Sequence, residues 1–322
     1  MSDAVARLKA QLPEHPSVDE LTPLADDYTG LRILAVHAHP DDESSKGSAS
    51  AAAYTDRGAR YMVATMTGGE RGDILNEEIK HSPRAHRDLP GMRRSEMAAA
   101  AKAIGIEHRW MGFVDSGLPE GDPMPPLPFG CFGVQPLERA AAPLVRLVRE
   151  YRPHVMISYD EIGGYPHPDH IMSHKVAVEA YEKAGDPEAY VGEGQPWAPL
   201  KLYYDRAFNP ERLVAGHEFL MARDEQSVFS GWVENLVDQI STEGIRHEST
   251  TRIPSSAYFD RRDQAMLAHA SQIDPNGAFF AIPTEDVKKV WPWEDYTLIA
   301  SRVPVDLPEC CLADGLDYQA AG

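Results

Sequence analysis

The sequence predicts an α/β fold, a Rossmann-like, mostly parallel sheet with helices on both faces, and three observations predict it. Short apolar runs rich in branched residues recur along the chain. Each is followed by a stretch with helical spacing, and glycine or proline marks the junctions. The first run, Leu31 to Ala38, has the continuous apolar character of a strand buried on both faces. A helix of small residues from about Gly47 to Asp56, closed by Gly58, leads to a second strand, Tyr61 to Met66. The pattern repeats with a helix over Arg94 to Ile104 stopped by Gly105, a strand near Trp110 to Val114, a helix over Leu137 to Tyr151, a strand over His154 to Tyr159 and a helix over Ile171 to Ala184. Residues 115–133 and 186–200 are rich in proline and glycine and read as long loops able to rim a pocket. Residues 1–30 mix charges with prolines, contain no signal-like apolar stretch, and read as an extension outside a single domain spanning 31–322.

Composition narrows the functional classes. Lysine and arginine number 31 against 50 acidic residues, a net charge of −19 over 322 residues. Such a field repels nucleic acid and anionic bilayers, which leaves a small molecule as the expected partner. Cys131, Cys310 and Cys311 form neither a disulfide framework nor a zinc knuckle and suit a reducing cytoplasm.

Two clusters carry the chemistry: His39-Pro40-Asp41-Asp42-Glu43 after the first strand, and Tyr165-Pro166-His167-Pro168-Asp169-His170 after the fourth. A nucleotide-binding fold needs glycines at its first strand-to-helix turn, and here that turn holds adjacent carboxylates, which attract a divalent cation and repel phosphate. Spaced three apart, His39 and Asp42 would share one side of a helical turn and could bind one metal. Asp41 would then sit beside the metal as general base. His170 is the expected third ligand, although His170 and His174, four apart on one helix face, make a rival pair. His167 would donate to the developing oxyanion or protonate the leaving amine, with Asp169 orienting a ring and Tyr165 as a second donor. A hydrolase using metal-activated water follows. Gly68-Gly69-Glu70-Arg71-Gly72 reads as a tight turn.

The paired motifs resemble those of the zinc-dependent N-deacetylases of the LmbE and PIG-L superfamily. Within it, Ala35 to Asn76, Phe113 to Pro119 and Gly163 to Ile171 most closely resemble the mycothiol S-conjugate amidase branch, a likeness running from about Leu31 to Val303. The resemblance implies zinc, or ferrous iron, on His39, Asp42 and His170, with Asp41 as base, His167 as electrophile or acid, and Tyr165 and Asp169 assisting. It implies substrate contacts from Lys46, Arg93 and Asp115. The reaction implied is hydrolysis of a thiol-sugar conjugate to a mercapturic acid and glucosaminyl-inositol, in detoxification or natural-product biosynthesis. The alternative is deacetylation of N-acetylglucosaminyl-inositol. On the residues alone, Lys46 could equally be an exposed charge, Asp115 a turn residue and Arg93 an ion-pair partner of Glu96, while His269 reads as packing.

Overall fold

A computed structural model describes residues 3–13, 17, 20–121, 123, 125–223, 227–243 and 247–319. In chain order the elements are α1 (Asp3–Lys9), β1 (Arg32–His37), α2 (Asp42–Ser45), α3 (Ser48–Thr55), β2 (Arg60–Thr67), α4 (Pro83–Arg87), α5 (Leu89–Ile104) and β3 (Glu107–Phe113). There follow α6 (Leu137–Tyr151), β4 (Val155–Ser158), α7 (Pro168–Lys183), β5 (Lys201–Asp205), α8 (Pro210–Met221), α9 (Ser230–Glu243), β6 (Thr251–Pro254), α10 (Phe259–Ala268), α11 (Thr284–Val290) and β7 (Trp293–Ser301).

The seven strands lie in the order β3-β2-β1-β4-β5-β7-β6. Strands β1 to β5 pair in parallel, and β7 runs antiparallel to both β5 and β6. Strand residues alternate between faces, as a pleat requires. Ile33 and Ala35 join the core under α3, α5 and α10, while Leu34 and Val36 join the core under α6 and α7. The chain moves from β1 through β2 to β3 on one side, then returns to place β4 on the other side of β1. That reversal opens a crevice beyond the carboxyl ends of β1 and β4, the usual ligand position in such sheets.

Boundaries depart from the sequence reading where capping decides. Helix α5 starts at Leu89 because the Asp88 side chain accepts from Gly91 N at 3.0 Å and Pro90 lies in the first turn. Strand β3 starts at Glu107 and is an edge strand, so polar Glu107 and Arg109 are tolerated in it. Helix α7 starts at Pro168, which places His170 inside its first turn. Near the N-terminus, Val5 and Leu8 of α1 are buried against Val214, Val233 and Ile240 of α8 and α9.

The long loop after α7 contains no strand or helix, yet it is fixed. Buried Arg149 donates to the carbonyls of Ala184, Asp186, Ala189, Tyr190 and Gly194. Arg149→Leu strands these acceptors and is expected to lower unfolding free energy by about 3 kcal/mol, read as a Tm loss of several degrees. An unchanged Tm would show that the loop does not depend on this side chain.

Candidate active site

Both motif clusters open into the crevice at the β1–β4 switch. His39 stands two residues beyond β1, and the turn after it is not helical. Asp41 adopts φ 131°, a conformation L-residues rarely take, before α2 begins at Asp42. The turn is closed by the Asp42 side chain, whose Oδ2 accepts from His39 N at 2.9 Å. His39 and Asp42 therefore meet through a strained turn, where the sequence suggested one face of a helix. From the far side, the β4–α7 loop turns at Gly163, where a Cβ would lie 2.5 Å from that of His170. The Gly163 carbonyl accepts from His170 Nδ1 at 2.9 Å.

Three electron-rich atoms converge here. His39 Nδ1 lies 3.3 Å from His170 Nε2 and 3.6 Å from Asp42 Oδ2, and His170 Nε2 lies 3.5 Å from that same oxygen. With ligand bonds near 2.1 Å, the edge of a tetrahedral zinc site is about 3.4 Å, so this triangle fits one face of such a site. The tautomers fit as well. His170 gives its Nδ1 proton to Gly163, and His39 gives its Nε2 proton to Asp169 Oδ2 at 3.3 Å, so both neutral rings turn a lone pair inward. Such a set repels itself unless positive charge sits among it. Burial pushes His170 down to about 3, whereas His39 is raised to about 10: burial opposes its charge but Asp169 and Asp42 outweigh it. A divalent cation held by these three atoms would supply the positive charge that this proton otherwise does.

A second possible metal group, His39, Asp115 and His167, shares His39. It is the poorer one. His39 Nε2 is 3.8 Å from Asp115 Oδ1, and Asp115 already accepts from Gly117 N at 2.7 Å and Arg71 N at 3.0 Å. His167 Nδ1 is occupied too, accepting from Asp169 N at 3.1 Å as the cap of α7.

Asp42 is held on all sides. Its Oδ1 accepts from Lys46 Nζ, and its Oδ2 accepts from Tyr159 Oη at 2.7 Å. Burial would raise its pKa, but the Lys46 ammonium holds it well below the usual carboxylate range. Lys46 is buried, so it is not an exposed charge, and its shortest contact in this structure is Asp42. Tyr159 also stacks on His170, ring centroids 4.5 Å apart. The sequence reading missed Tyr159; its one available signal was a tyrosine ending an apolar strand.

Asp41 lies beside this triangle and is absent from both metal groups. Burial, then Asp42, pushes its pKa up to about 6. Its backbone N–H is held by Glu43 Oε2 at 3.0 Å, and Glu43 Oε1 meets His269 Nε2 at 2.6 Å. Burial works against the charge on Glu43, but His269 draws its pKa down to about 2. His269, expected only to pack, thus braces the strained turn. The Ala268-His269-Ala270-Ser271-Gln272 segment was its sequence signal.

Asp169 is fully buried and accepts from Ser116 N at 2.9 Å and from Ser116 Oγ, so β3's loop fixes the carboxylate that orients His39. Because His167 Nδ1 accepts, its proton sits on Nε2, and burial followed by the charge of His39 lowers its pKa to about 4. Tyr165 is 39% exposed and packs edge-on to His170 with centroids 4.6 Å apart. His174 donates to the Tyr159 carbonyl at 3.0 Å and belongs to neither metal group, so the rival pair is not assembled. Glu96 accepts from Ser271 N and Oγ at 2.8 and 2.6 Å, and no ion pair with Arg93 forms among the described residues. Arg93 lies buried within α5, and its guanidinium fills the space where Cβ atoms on Gly69 and Gly72 would fall. These glycines do more than turn the chain: their loop seats Arg93, and its Glu70 accepts from Asp115 N at 3.0 Å.

The family model described as PIG-L, GlcNAc-PI de-N-acetylase, matches residues 34–181, the span containing both clusters. The chain is 46% identical over 288 residues to a mycothiol S-conjugate amidase of Streptomyces coelicolor, covering 89% of this chain and 97% of that one. It is 37% identical over 281 residues to a 1D-myo-inositol 2-acetamido-2-deoxy-alpha-D-glucopyranoside deacetylase of Streptomyces avermitilis, covering 85% and 93%. Among solved structures, the N,N'-diacetylchitobiose deacetylase of Pyrococcus horikoshii shares the fold, with TM-score 0.55 and 14% identity over 83% of each chain. Among the described residues, no helix is long and apolar enough to cross a membrane. The chain is thus a member of the PIG-L family, hydrolases that act on amide bonds.

Proposed function

We propose that this protein is a zinc-dependent amidase that cleaves the amide of mycothiol-type S-conjugates, releasing an N-acetylcysteine S-conjugate and glucosaminyl-inositol. The observation that carries the choice over acetyl-sugar deacetylation is the asymmetry of the crevice. On the β2–β3 side stand Arg93, Asp115, Glu70 and Arg71, a polar wall suited to sugar and inositol hydroxyls. On the β5 side, next to Tyr165, lies a cleft of about 410 Å³ whose lining is mostly apolar, Phe208, Leu213, Trp232 and Phe279 among it, alongside Asp205 and the paired Asp160 and Arg206. An acetyl group has no use for that volume, whereas an S-substituted cysteinyl group does.

In this reading His39, Asp42 and His170 hold the cation, zinc by the size of the triangle and its donor types, with iron(II) a second candidate for the same donors. When bound, such an ion polarises the amide carbonyl and acidifies water. Lys46 and Tyr159 keep Asp42 ionised and aimed; Asp169 and Gly163 fix the two rings. Asp41 takes the proton of the attacking water, and its raised pKa makes it a base matched to neutral pH. His167, neutral with its proton on Nε2, donates to the developing oxyanion, and Tyr165 offers a second donor. A neutral His167 is a weak acid, so the proton Asp41 has gained is the one delivered to the departing amine. Lys46 acts through Asp42 in this account rather than on substrate, while Arg93 and Asp115 keep their roles toward the polyol.

Asp41→Asn is expected to retain one metal ion per chain by elemental analysis while kcat falls by about 10²- to 10⁴-fold. Near-normal turnover in that variant would remove Asp41 as base. Because the base works only when deprotonated, kcat/KM of the wild-type enzyme should fall as pH drops, with a midpoint at or below about 6, since a neighbouring cation draws the Asp41 value further down. A flat profile between pH 5 and 8 would contradict this. In direct competition, a bimane conjugate of mycothiol should be consumed ahead of N-acetylglucosaminyl-inositol; the reverse order would favour the deacetylase reading.

A further inference from the structure

The cleft beside Tyr165 does not end at its own walls. Phe208, Leu213, Trp232 and Phe279 also line a narrower chamber of about 100 Å³ between α8, α10 and α11, and Arg212 forms part of its wall. In an apolar chamber a guanidinium should be paired, yet among the described residues Arg212 has neither a hydrogen-bond nor an ion-pair partner. The carboxylates whose charge reaches it each bond another group, with Asp295 Oδ1 alone of these left without a hydrogen bond among the described residues. Asp263 is held by Arg262 at 2.8 Å, Glu294 accepts from Ser50 N at 2.6 Å, and Asp295 accepts from Trp291 Nε1 at 2.7 Å. Among the described residues on the chamber wall, the other charged group is Arg262, of the same sign. Burial and then Arg262 depress the Arg212 pKa, and the charges of Glu294, Asp295 and Asp263 offset this from a distance, so among the described residues the guanidinium has negative charge nearby but no carboxylate bonded to it.

Resting on the amidase reading above, we infer that the chamber receives the thioether substituent of the substrate, that this substituent is an aromatic group bearing a carboxylate, and that Arg212 pairs with that carboxylate. Aromatic walls suit a planar ring, and a guanidinium engages a carboxylate with two parallel hydrogen bonds. Nothing in the proposed hydrolysis requires a cation this far along the cleft, so the pairing acts on substrate choice.

The test uses mycothiol carrying S-benzyl or S-(4-carboxybenzyl) groups, with kcat/KM measured on the zinc-loaded full-length chain. The wild type should prefer the carboxybenzyl conjugate on the order of tenfold to a hundredfold, mainly through KM. In Arg212→Leu that ratio should collapse to about one or invert, and Arg212→Lys should keep a reduced preference of the same sign. A wild-type ratio near one, or a ratio that survives in Arg212→Leu, overturns the inference while leaving the amidase reading intact. Should neither conjugate be cleaved while N-acetylglucosaminyl-inositol is, the amidase reading fails and takes the inference with it.

Discussion

Three electron-rich atoms facing one another across the mouth of a sheet are the constraint on which the rest of this structure depends. His39 Nδ1, Asp42 Oδ2 and His170 Nε2 lie 3.3 to 3.6 Å apart, closer than unprotonated donors settle without positive charge between them. Neighbouring parts are arranged to hold that unfavourable convergence. Gly163 and Asp169 fix the tautomers, Lys46 and Tyr159 hold Asp42, and the Glu43–His269 pair braces the backbone at Asp41. Strain and buried charge of this kind lower stability, and proteins retain them where a site needs them.

The sheet's topology then divides the crevice. Because β2 and β3 lie on one side of β1 and β4 and β5 on the other, loops of different composition face each other across the converging donors. The β2 and β3 loops bring charged and hydrogen-bonding groups. The residues after β5 and helices α8 and α9 bring aromatic and aliphatic ones. A substrate with a polyol at one end of its amide and an apolar group at the other matches that division. The family contains both amidases and acetyl-sugar deacetylases, and the proposed distinction lies in this second wall.

Much of this was legible in the sequence. Branched apolar runs separated by helical spacing gave the first four parallel strands, because a strand covered on both faces has no polar alternation to obscure it. The clusters at His39 and His167 were visible because residues of one chemistry lie adjacent in the chain. Less visible was what depends on distant contacts. The φ of 131° at Asp41 has no local code, and Glu43–His269 spans more than two hundred positions. Gly69 and Gly72 read as a turn because the side chain they accommodate, Arg93, belongs to another element. The parallel strand β5, the strands β6 and β7, and the apolar wall built by α8 to α11 went unread after Ala184, since short runs there carry no repeating unit.

The most direct test of the central claim is X-ray absorption at the zinc edge of the zinc-loaded protein, compared with His39→Ala and His170→Ala. The account predicts one ion per chain with two imidazole nitrogens and light oxygen donors, and loss of the bound ion in each variant. An ion that survives removal of His170, and so resides on His39, Asp115 and His167 or elsewhere, would contradict it.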